Sequence, residues 1–328
     1  MSKATISERE NADRVFGRAQ GDPQWIPVVG VYNDLIFSSL LHERPEPPAG
    51  KDWAGCNWVW DEQCLGFAPD LHQPLLLDDI CDWREVVQFP NLDELDWAAA
   101  AQADLAEHDH ENKYLCMFME TGPWERMQAL MGMENAFMAF YDEPEEVKAL
   151  LNAITDYKVA AIEKQGEFYH PDQYFFQDDL GTAKGPMMSL EMYREFLKPC
   201  HRRVAEAIHK QGAIYIHHSC GCMEAFIEDL IDAGVDSINP IQAMNDWEAI
   251  AARFGDRVNF DVGVPGTDDT RNTEDDARAF ARRIIDTFGP TKRLSTMNFP
   301  SNVATLNLVD AAAEELGSYG HAYYQQAS

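Results

Sequence analysis

Short apolar runs alternate along the chain with longer segments that have helical periodicity. Seven of the runs are typical of strands buried on both faces, at residues 25–31, 113–119, 172–177, 213–216, 235–238, 258–262 and 293–297. The segments between them predict helices, such as the one from Met223 that ends at Gly234. Alternating strands and helices predict a parallel sheet with helices outside it. We therefore expect an α/β fold, a single (β/α)8 barrel of the TIM type over residues 1–328, with an eighth strand near Leu75–Leu77 or an irregular segment in its place.

Residues 43–90 break this alternation. They are rich in proline and tryptophan, and so long a connection in a compact domain is usually functional or disordered. The aromatic content argues against disorder. Two interpretations remain: the rings pack the insert onto the barrel, or the insert is a lid over the barrel mouth. In the second case Trp58 and Trp60, which share one face of an extended segment, would form an aromatic wall for a substrate.

Polar side chains follow several of the predicted strands. Because the carboxyl ends of parallel strands meet at one face of a barrel and build its site, these residues are candidates for function. Glu120, Asp178 and Asp179 are candidates for a metal ligand or a general acid, or else they anchor loops. Asn239 and Gln242 suit the orientation of a neutral substrate.

The strand at residues 213–216 runs into His218-x-Cys220. In an extended segment these two side chains leave on the same face, and an imidazole with a thiolate suits zinc. The alternative is a buried cysteine beside a hydrogen-bonded histidine. Cys222 lies beyond a glycine, at a predicted helix start, and is a weaker candidate ligand.

Composition bears on partners and location. The formal net charge of -30 and a pI near 4.5 disfavour binding to nucleic acid or to anionic membranes. This charge indicates either solubility in a saline cytoplasm or a patch that steers a basic partner. Seven scattered cysteines do not suggest a disulfide framework. The N-terminus does not look like a signal peptide, and no apolar run reaches the ~20 residues that span a bilayer, so we expect a cytoplasmic protein. Whether it forms a homodimer stays open.

Five short motifs together resemble the uroporphyrinogen decarboxylase superfamily, most closely its branch of corrinoid-dependent methyltransferases, of the type that starts O-demethylation. Each motif alone is weak, but their order is specific, and the likeness extends over nearly the whole chain. The motifs are D-D-L-G at 178–181, S-x-E-M at 189–192, H-S-C-G at 218–221, A-G-V-D at 233–236 and P-I-Q-x-M-N-D at 240–246.

Two departures from family patterns narrow this expectation. The decarboxylases carry several arginines near the N-terminus that bind a polyanionic substrate. In this chain Arg18 is the only arginine in residues 17–32. Methylthiol-transferring members hold zinc with H-x-C and a second cysteine near the last strand, whereas Leu294–Asn302 offers Met297 and no cysteine. The third ligand then comes from a carboxylate of Glu120, Asp178 or Asp179, or from Cys222 or Met297. Fewer thiolates leave the metal more electrophilic, which favours an oxygen leaving group.

The resemblance implies a zinc-dependent methyltransferase that demethylates a small methylated compound and passes the methyl group to Co(I) of a corrinoid (cobalamin) carrier protein. An aryl methyl ether is the first choice of donor. Asp178, Asp179 or Glu120 would protonate the departing oxygen. The alternatives are a metal-free decarboxylase of a less charged substrate, a methylcorrinoid:thiol methyltransferase, and a binding protein without catalysis.

Overall fold

A computed structural model describes residues 6–62, 66–70, 72–264, 273–298 and 308–326. The strands are β1 (Asn33–Phe37), β2 (Ala49–Lys51), β3 (Asn57–Asp61), β4 (Gly66–Pro69), β5 (Tyr114–Met119), β6 (Gln173–Gln177), β7 (Gly181–Thr182), β8 (Gly185–Pro186), β9 (Ile214–His218), β10 (Ser237–Asn239), β11 (Asn259–Val264) and β12 (Leu294–Asn298). The helices are α1 (Glu8–Val15), α2 (Trp83–Val86), α3 (Trp97–Asp104), α4 (Pro123–Met131), α5 (Met133–Asp142), α6 (Pro144–Phe168), α7 (Leu190–Met192), α8 (Lys198–His209), α9 (Ile227–Ala233), α10 (Trp247–Phe254), α11 (Glu274–Phe288) and α12 (Val309–Gln326). Short 3-10 turns lie at Ile80–Asp82, Leu92–Glu94 and Gly289–Thr291. One π-helical segment, Tyr193–Leu197, lies between α7 and α8.

Seven strands form the main sheet in the order β1-β5-β6-β9-β10-β11-β12, and every neighbouring pair is parallel. Just ahead of β1, Val28 forms a parallel bridge with Thr296 of β12. One stretch of chain therefore reaches both edges of the sheet, which curls it toward a barrel. The α/β fold that the alternation predicted is confirmed.

The first predicted strand is wrong in position, and in place of an eighth strand the chain has the irregular segment that was the alternative. The first was placed at residues 25–31, but the chain turns at Gly30, whose φ of +85° lies in the left-handed region. The Gly30 amide is bound by the Asn33 side chain, and only then does β1 begin. Near Leu75–Leu77, where we expected either an eighth strand or an irregular segment, the chain is irregular. The amides of Leu76 and Leu77 there donate to the carbonyl of Leu130 in α4.

Side chains of the main sheet alternate between two apolar clusters, as the two-residue period of a strand requires. Cys116, Phe175 and Ile216 belong to a small cluster inside the barrel. Their chain neighbours Met117 and Phe176 belong to the large cluster shared with the surrounding helices.

The insert at residues 43–90 is more regular than its composition suggested, because β2, β3 and β4 form an antiparallel sheet within it. Four buried charges join the insert to the barrel helices. Arg126 of α4 binds the carboxylates of Glu43, at 2.9 Å, and Asp52. Lys158 of α6 lies 2.5 Å from Glu43. All four side chains are almost fully excluded from water, so the insert is fixed to the barrel at this point.

Within the described part of the chain, every helix is too short or too polar to cross a bilayer.

Candidate functional site

Asp179, His218 and Cys220 lie together where β6 and β9 end. One ligand atom from each falls within 4.8 Å of the others. The Cys220 sulfur is 3.7 Å from Nε2 of His218, and that nitrogen is 4.0 Å from Oδ1 of Asp179. The Cys220 amide donates to the same carboxylate oxygen at 2.8 Å, which ties the two loops together. The strands are neighbours in the sheet, so the cluster follows directly from the topology.

This donor set fits zinc. The ion accepts imidazole nitrogen, thiolate sulfur and carboxylate oxygen, and at bond lengths of about 2.0–2.3 Å its tetrahedral ligands stand roughly 3.3–3.6 Å apart. The separations of 3.7 and 4.0 Å are within a small side-chain adjustment of that spacing. Three protein ligands also match a catalytic arrangement, in which one position stays open to substrate. Of the candidate third ligands, Asp179 is the one that lies in this cluster, and among the described residues neither Glu120 nor Cys222 belongs to it.

Asn239 and Gln242, the amides predicted to bind substrate, contact the cluster. The side-chain oxygen of Asn239 lies 2.6 Å from Nδ1 of His218. The amide nitrogen of Asn239 lies 3.7 Å from the sulfur of Met297, which places Met297 behind this amide. Gln242 accepts a hydrogen bond of 2.6 Å from the Gly221 amide, in the loop that carries Cys220. Both amides therefore orient the side chains and backbone of the candidate ligands.

Asp178 and Asp179 point to opposite faces, as adjacent residues in extended chain must. Asp178 is fully buried and accepts hydrogen bonds from the Trp124 and Glu125 amides, at the N-terminus of α4, where a carboxylate is favoured. It also lies 2.9 Å from Nε2 of His201. Through these hydrogen bonds Asp178 anchors α4. Of the two aspartates, only Asp179 lies in the cluster.

Glu120 and Glu125 flank Arg44, a residue of the insert that sequence reasoning missed. Its guanidinium lies 3.5 Å from Glu120 and 3.3 Å from Glu125. Burial raises the pKa of Glu120, and it raises the pKa of Glu125 to about 7 and that of Asp179 to about 6, against the opposing effect of Arg44. Three carboxyl groups, those of Glu120, Glu125 and Asp179, therefore lie near one arginine.

Trp58 and Trp60 do not form the exposed wall expected of a lid. Trp58 is buried, and its indole nitrogen donates to Asp52 at 2.7 Å. Its ring lies under the Arg44 guanidinium, at 5.1 Å, so it supports that side chain from below. Trp60 packs edge-on against Phe67 inside the small sheet. No signal in the sequence linked Arg44 to the strand ends, because the link runs through the buried charges of the insert.

Comparisons with known proteins agree with this architecture. The family model described as "Uroporphyrinogen decarboxylase (URO-D)" matches residues 55–269. A curated relative, the methylated-thiol--coenzyme M methyltransferase of Methanosarcina mazei, is 31% identical over 116 residues, which are 35% of this chain and 30% of that protein. The alignment therefore spans less than a third of that relative's length.

A solved structure has a similar fold over nearly all of this chain's length. The methyltransferase from Methanosarcina mazei superposes with a TM-score of 0.65 and 13% sequence identity, over 96% of this chain and 99% of that one. The family match covers most of the main sheet, from the insert to β11, together with Asp179, His218 and Cys220. The chain belongs to the uroporphyrinogen decarboxylase (URO-D) family.

Proposed function

We propose that this protein is a corrinoid-dependent methyltransferase that removes a methyl group from a small methylated donor. The acceptor is Co(I) of a corrinoid carrier protein, which is the expected partner. The observation that supports this proposal is the cluster of Asp179, His218 and Cys220 at the carboxyl end of the barrel. Family membership and two methyltransferase relatives agree with it.

Zinc is the proposed cofactor, held by Asp179, His218 and Cys220. When bound, it would supply Lewis acidity to the heteroatom that loses the methyl group. The protein's own contribution is to orient the ligands through Asn239 and to limit access of water. Side chains of the cluster are only partly exposed, with His218 at 17% and Asp179 at 26%.

Glu120 is the proposed proton donor to the departing oxygen. Its carboxyl follows β5 at the same end of the barrel, and it is 18% exposed beside Arg44. Burial raises its pKa, which helps a carboxyl to hold a proton near neutral pH. Asp178 is the poorer choice for this role because three hydrogen bonds already occupy it.

The donor that we propose is an aryl methyl ether. The cluster contains one thiolate and one carboxylate, which favours polarisation of an oxygen more than a set with two thiolates would. A methylated thiol is the second candidate, because the curated relative bears that activity in its name. The two donors differ in the atom that the methyl group leaves.

The test begins with the zinc content of protein purified without added metal, followed by an anaerobic assay with reduced cobalamin. We expect about one zinc per chain and methylcobalamin formation from 2-methoxyphenol. Cys220→Ala should lose the zinc and keep the fold, whereas Cys81→Ala, at an exposed cysteine away from the cluster, should keep both.

Other results would redirect the assignment. Methyl transfer from dimethyl sulfide but not from the ether would select the thiol branch. Full zinc content in Cys220→Ala would rule out the proposed ligand set. No metal after zinc is added back, with a carboxylic acid decarboxylated, would favour the metal-free lyase; ligand binding without any turnover would favour the binding protein.

A further inference from the structure

A cavity of about 350 Å³ lies at the amino end of the barrel strands. Ile214 and Asn259, the first residues of β9 and β11, line it together with Arg293, which stands just before β12. The candidate metal cluster is at the other end of β9, at His218, and at about 3.3 Å per residue the two ends of this strand are roughly 13 Å apart. Sites for small molecules have volumes of about 300–1,000 Å³, so the cavity is large enough for a small ligand.

The lining of this cavity is basic, although the formal net charge of the chain is -30. Three arginines contribute to it, namely Arg18, Arg257 and Arg293. Asp236 is the only acid among the described residues that line the cavity, and its carboxylate is already engaged. It lies 2.8 Å from Nε2 of His209 and accepts a hydrogen bond of 2.9 Å from the Tyr215 amide. The arginines therefore determine the sign of the charge in the cavity.

Two of the three arginines have no acidic partner. Arg257 is neutralised, because its guanidinium binds both carboxylate oxygens of Glu228, at 2.7 and 3.1 Å. Arg18 donates instead to the carbonyl of Gly212 at 2.5 Å, and the side chain of Arg293 is half-buried. Among the residues that the structure describes, neither Arg18 nor Arg293 has a carboxylate within 4.0 Å. Two positive charges at the cavity are therefore left without a counter-charge from the described residues.

Asn259 adds a buried polar group that lacks a partner. Its side chain is 3% exposed, and in the described part of the chain its Oδ1 has no hydrogen-bond partner. Buried polar atoms are rarely left unsatisfied in folded proteins. Because this residue lines the cavity beside the arginines, its amide is available to the polar part of a ligand.

We propose that this cavity binds a small organic dianion, either a phosphate monoester or a dicarboxylate, through Arg18 and Arg293. Guanidinium groups bind the oxygens of carboxylates and phosphates with paired N–H donors, and two such groups match the charge of a dianion. The half-buried ring of Phe16, which also lines the cavity, offers a surface to the apolar part of the ligand. The proposed site is separate from the candidate zinc site and does not depend on the proposed function, because the two lie at opposite ends of β9.

Isothermal titration of the full chain with phenyl phosphate, succinate and acetate tests this site. We expect one saturable site per chain for phenyl phosphate, for succinate or for both, which would identify the anionic group, and weaker binding of the monoanion acetate. Arg18→Gln and Arg293→Gln should each weaken binding of the dianion by at least about tenfold, the usual loss when a hydrogen bond to a charged group is removed. Arg202→Gln, at an exposed arginine of α8, makes the same change in net charge outside the cavity and should bind as the parent does.

Four results would overturn the proposed anion site. They are no saturable binding of either dianion at millimolar concentrations, unchanged affinity in both arginine variants, an equal loss of affinity in Arg202→Gln, and acetate binding as tight as that of the dianions. A further variant, Cys220→Ala, locates the anion. Loss of dianion binding in Cys220→Ala alone would place the anion at the candidate zinc cluster and would also overturn the proposal. Dianion binding that persists in Cys220→Ala and is weakened in Arg18→Gln and Arg293→Gln would support the cavity, whether or not the protein transfers methyl groups.

Discussion

The imidazole of His218 and the side chain of Asn239 are joined by a hydrogen bond of 2.6 Å between neighbouring strands. Since the Asn239 oxygen only accepts, the imidazole proton lies on Nδ1 and the lone pair of Nε2 faces Cys220 and Asp179. Such partners of a metal-bound histidine fix its tautomer and orientation. Asn239 is therefore a positioning residue for the candidate zinc site.

Asn239→Ala should weaken zinc binding by about 10- to 100-fold, because the imidazole loses the group that orients it. Competition against a chromophoric chelator would measure the change. Asn152→Ala, at an exposed asparagine on α6, is the control and should bind zinc as the parent does. Zinc affinity that is unaltered in Asn239→Ala would contradict the role of this hydrogen bond.

Asp178 and Asp179 should respond to mutation in opposite ways. Asp178→Ala leaves the buried His201 and the N-terminus of α4 without their acceptor, so the free energy of unfolding should fall by about 3 kcal/mol. Asp179→Ala should remove a zinc ligand and change stability little. Urea denaturation of the zinc-free proteins, with zinc content measured separately, would check both. The assignment fails if Asp178→Ala loses the metal and Asp179→Ala loses the stability.

The alternation of side chains along the strands and the parallel order of the strands predicted part of this site. The two-residue period placed His218 and Cys220 on one face, and strand order brought β6 beside β9. The same pattern could not choose between Asp178 and Asp179, because which of two adjacent acids faces inward depends on the register of β6 in the sheet.

Other features of the site depend on contacts between segments that are distant in the sequence, and the sequence analysis did not predict them. Arg44 reaches the site because buried ion pairs hold the insert against α4 and α6, and no periodicity encodes such a contact. The position of β1 was missed because the first strand was placed at residues 25–31, ahead of Asn33. Gly30 and Asn33, which form the turn before β1, were the local signal for the true position.

Arg126→Met should strongly destabilise the protein. It leaves the carboxylates of Glu43 and Asp52 in a buried position without their arginine, which typically costs about 3–5 kcal/mol. Arg84→Met breaks a pair with Glu146 at the surface, where about 0–1 kcal/mol is normal, and serves as the control. Denaturant melts of both variants would measure the difference. Equal effects would mean that the buried charges do not fix the insert.

Asp261 offers a prediction for pH dependence. The side chain is fully buried inside the barrel on β11, and among the residues that the structure describes neither carboxyl oxygen has a hydrogen-bond partner within 3.5 Å. Burial raises its pKa to about 7, although Asn239 and Ser295 nearby act to lower it. Between pH 4 and 7 the folded state therefore keeps a proton that the unfolded chain releases, so this group's contribution to stability falls as the pH rises through that window.

Asp261→Asn places a neutral isostere in the same position and removes this penalty. The stability of the variant relative to the parent should therefore increase by about 2–3 kcal/mol between pH 5 and pH 8, because one pKa unit corresponds to about 1.4 kcal/mol. Urea melts of both proteins at the two pH values would measure the change. Asp142→Asn removes one exposed carboxyl and controls for net charge. A stability difference between Asp261→Asn and the parent that does not vary with pH would contradict this prediction. It would show that Asp261 is ionised in the folded protein over the whole range, as it is in the unfolded chain.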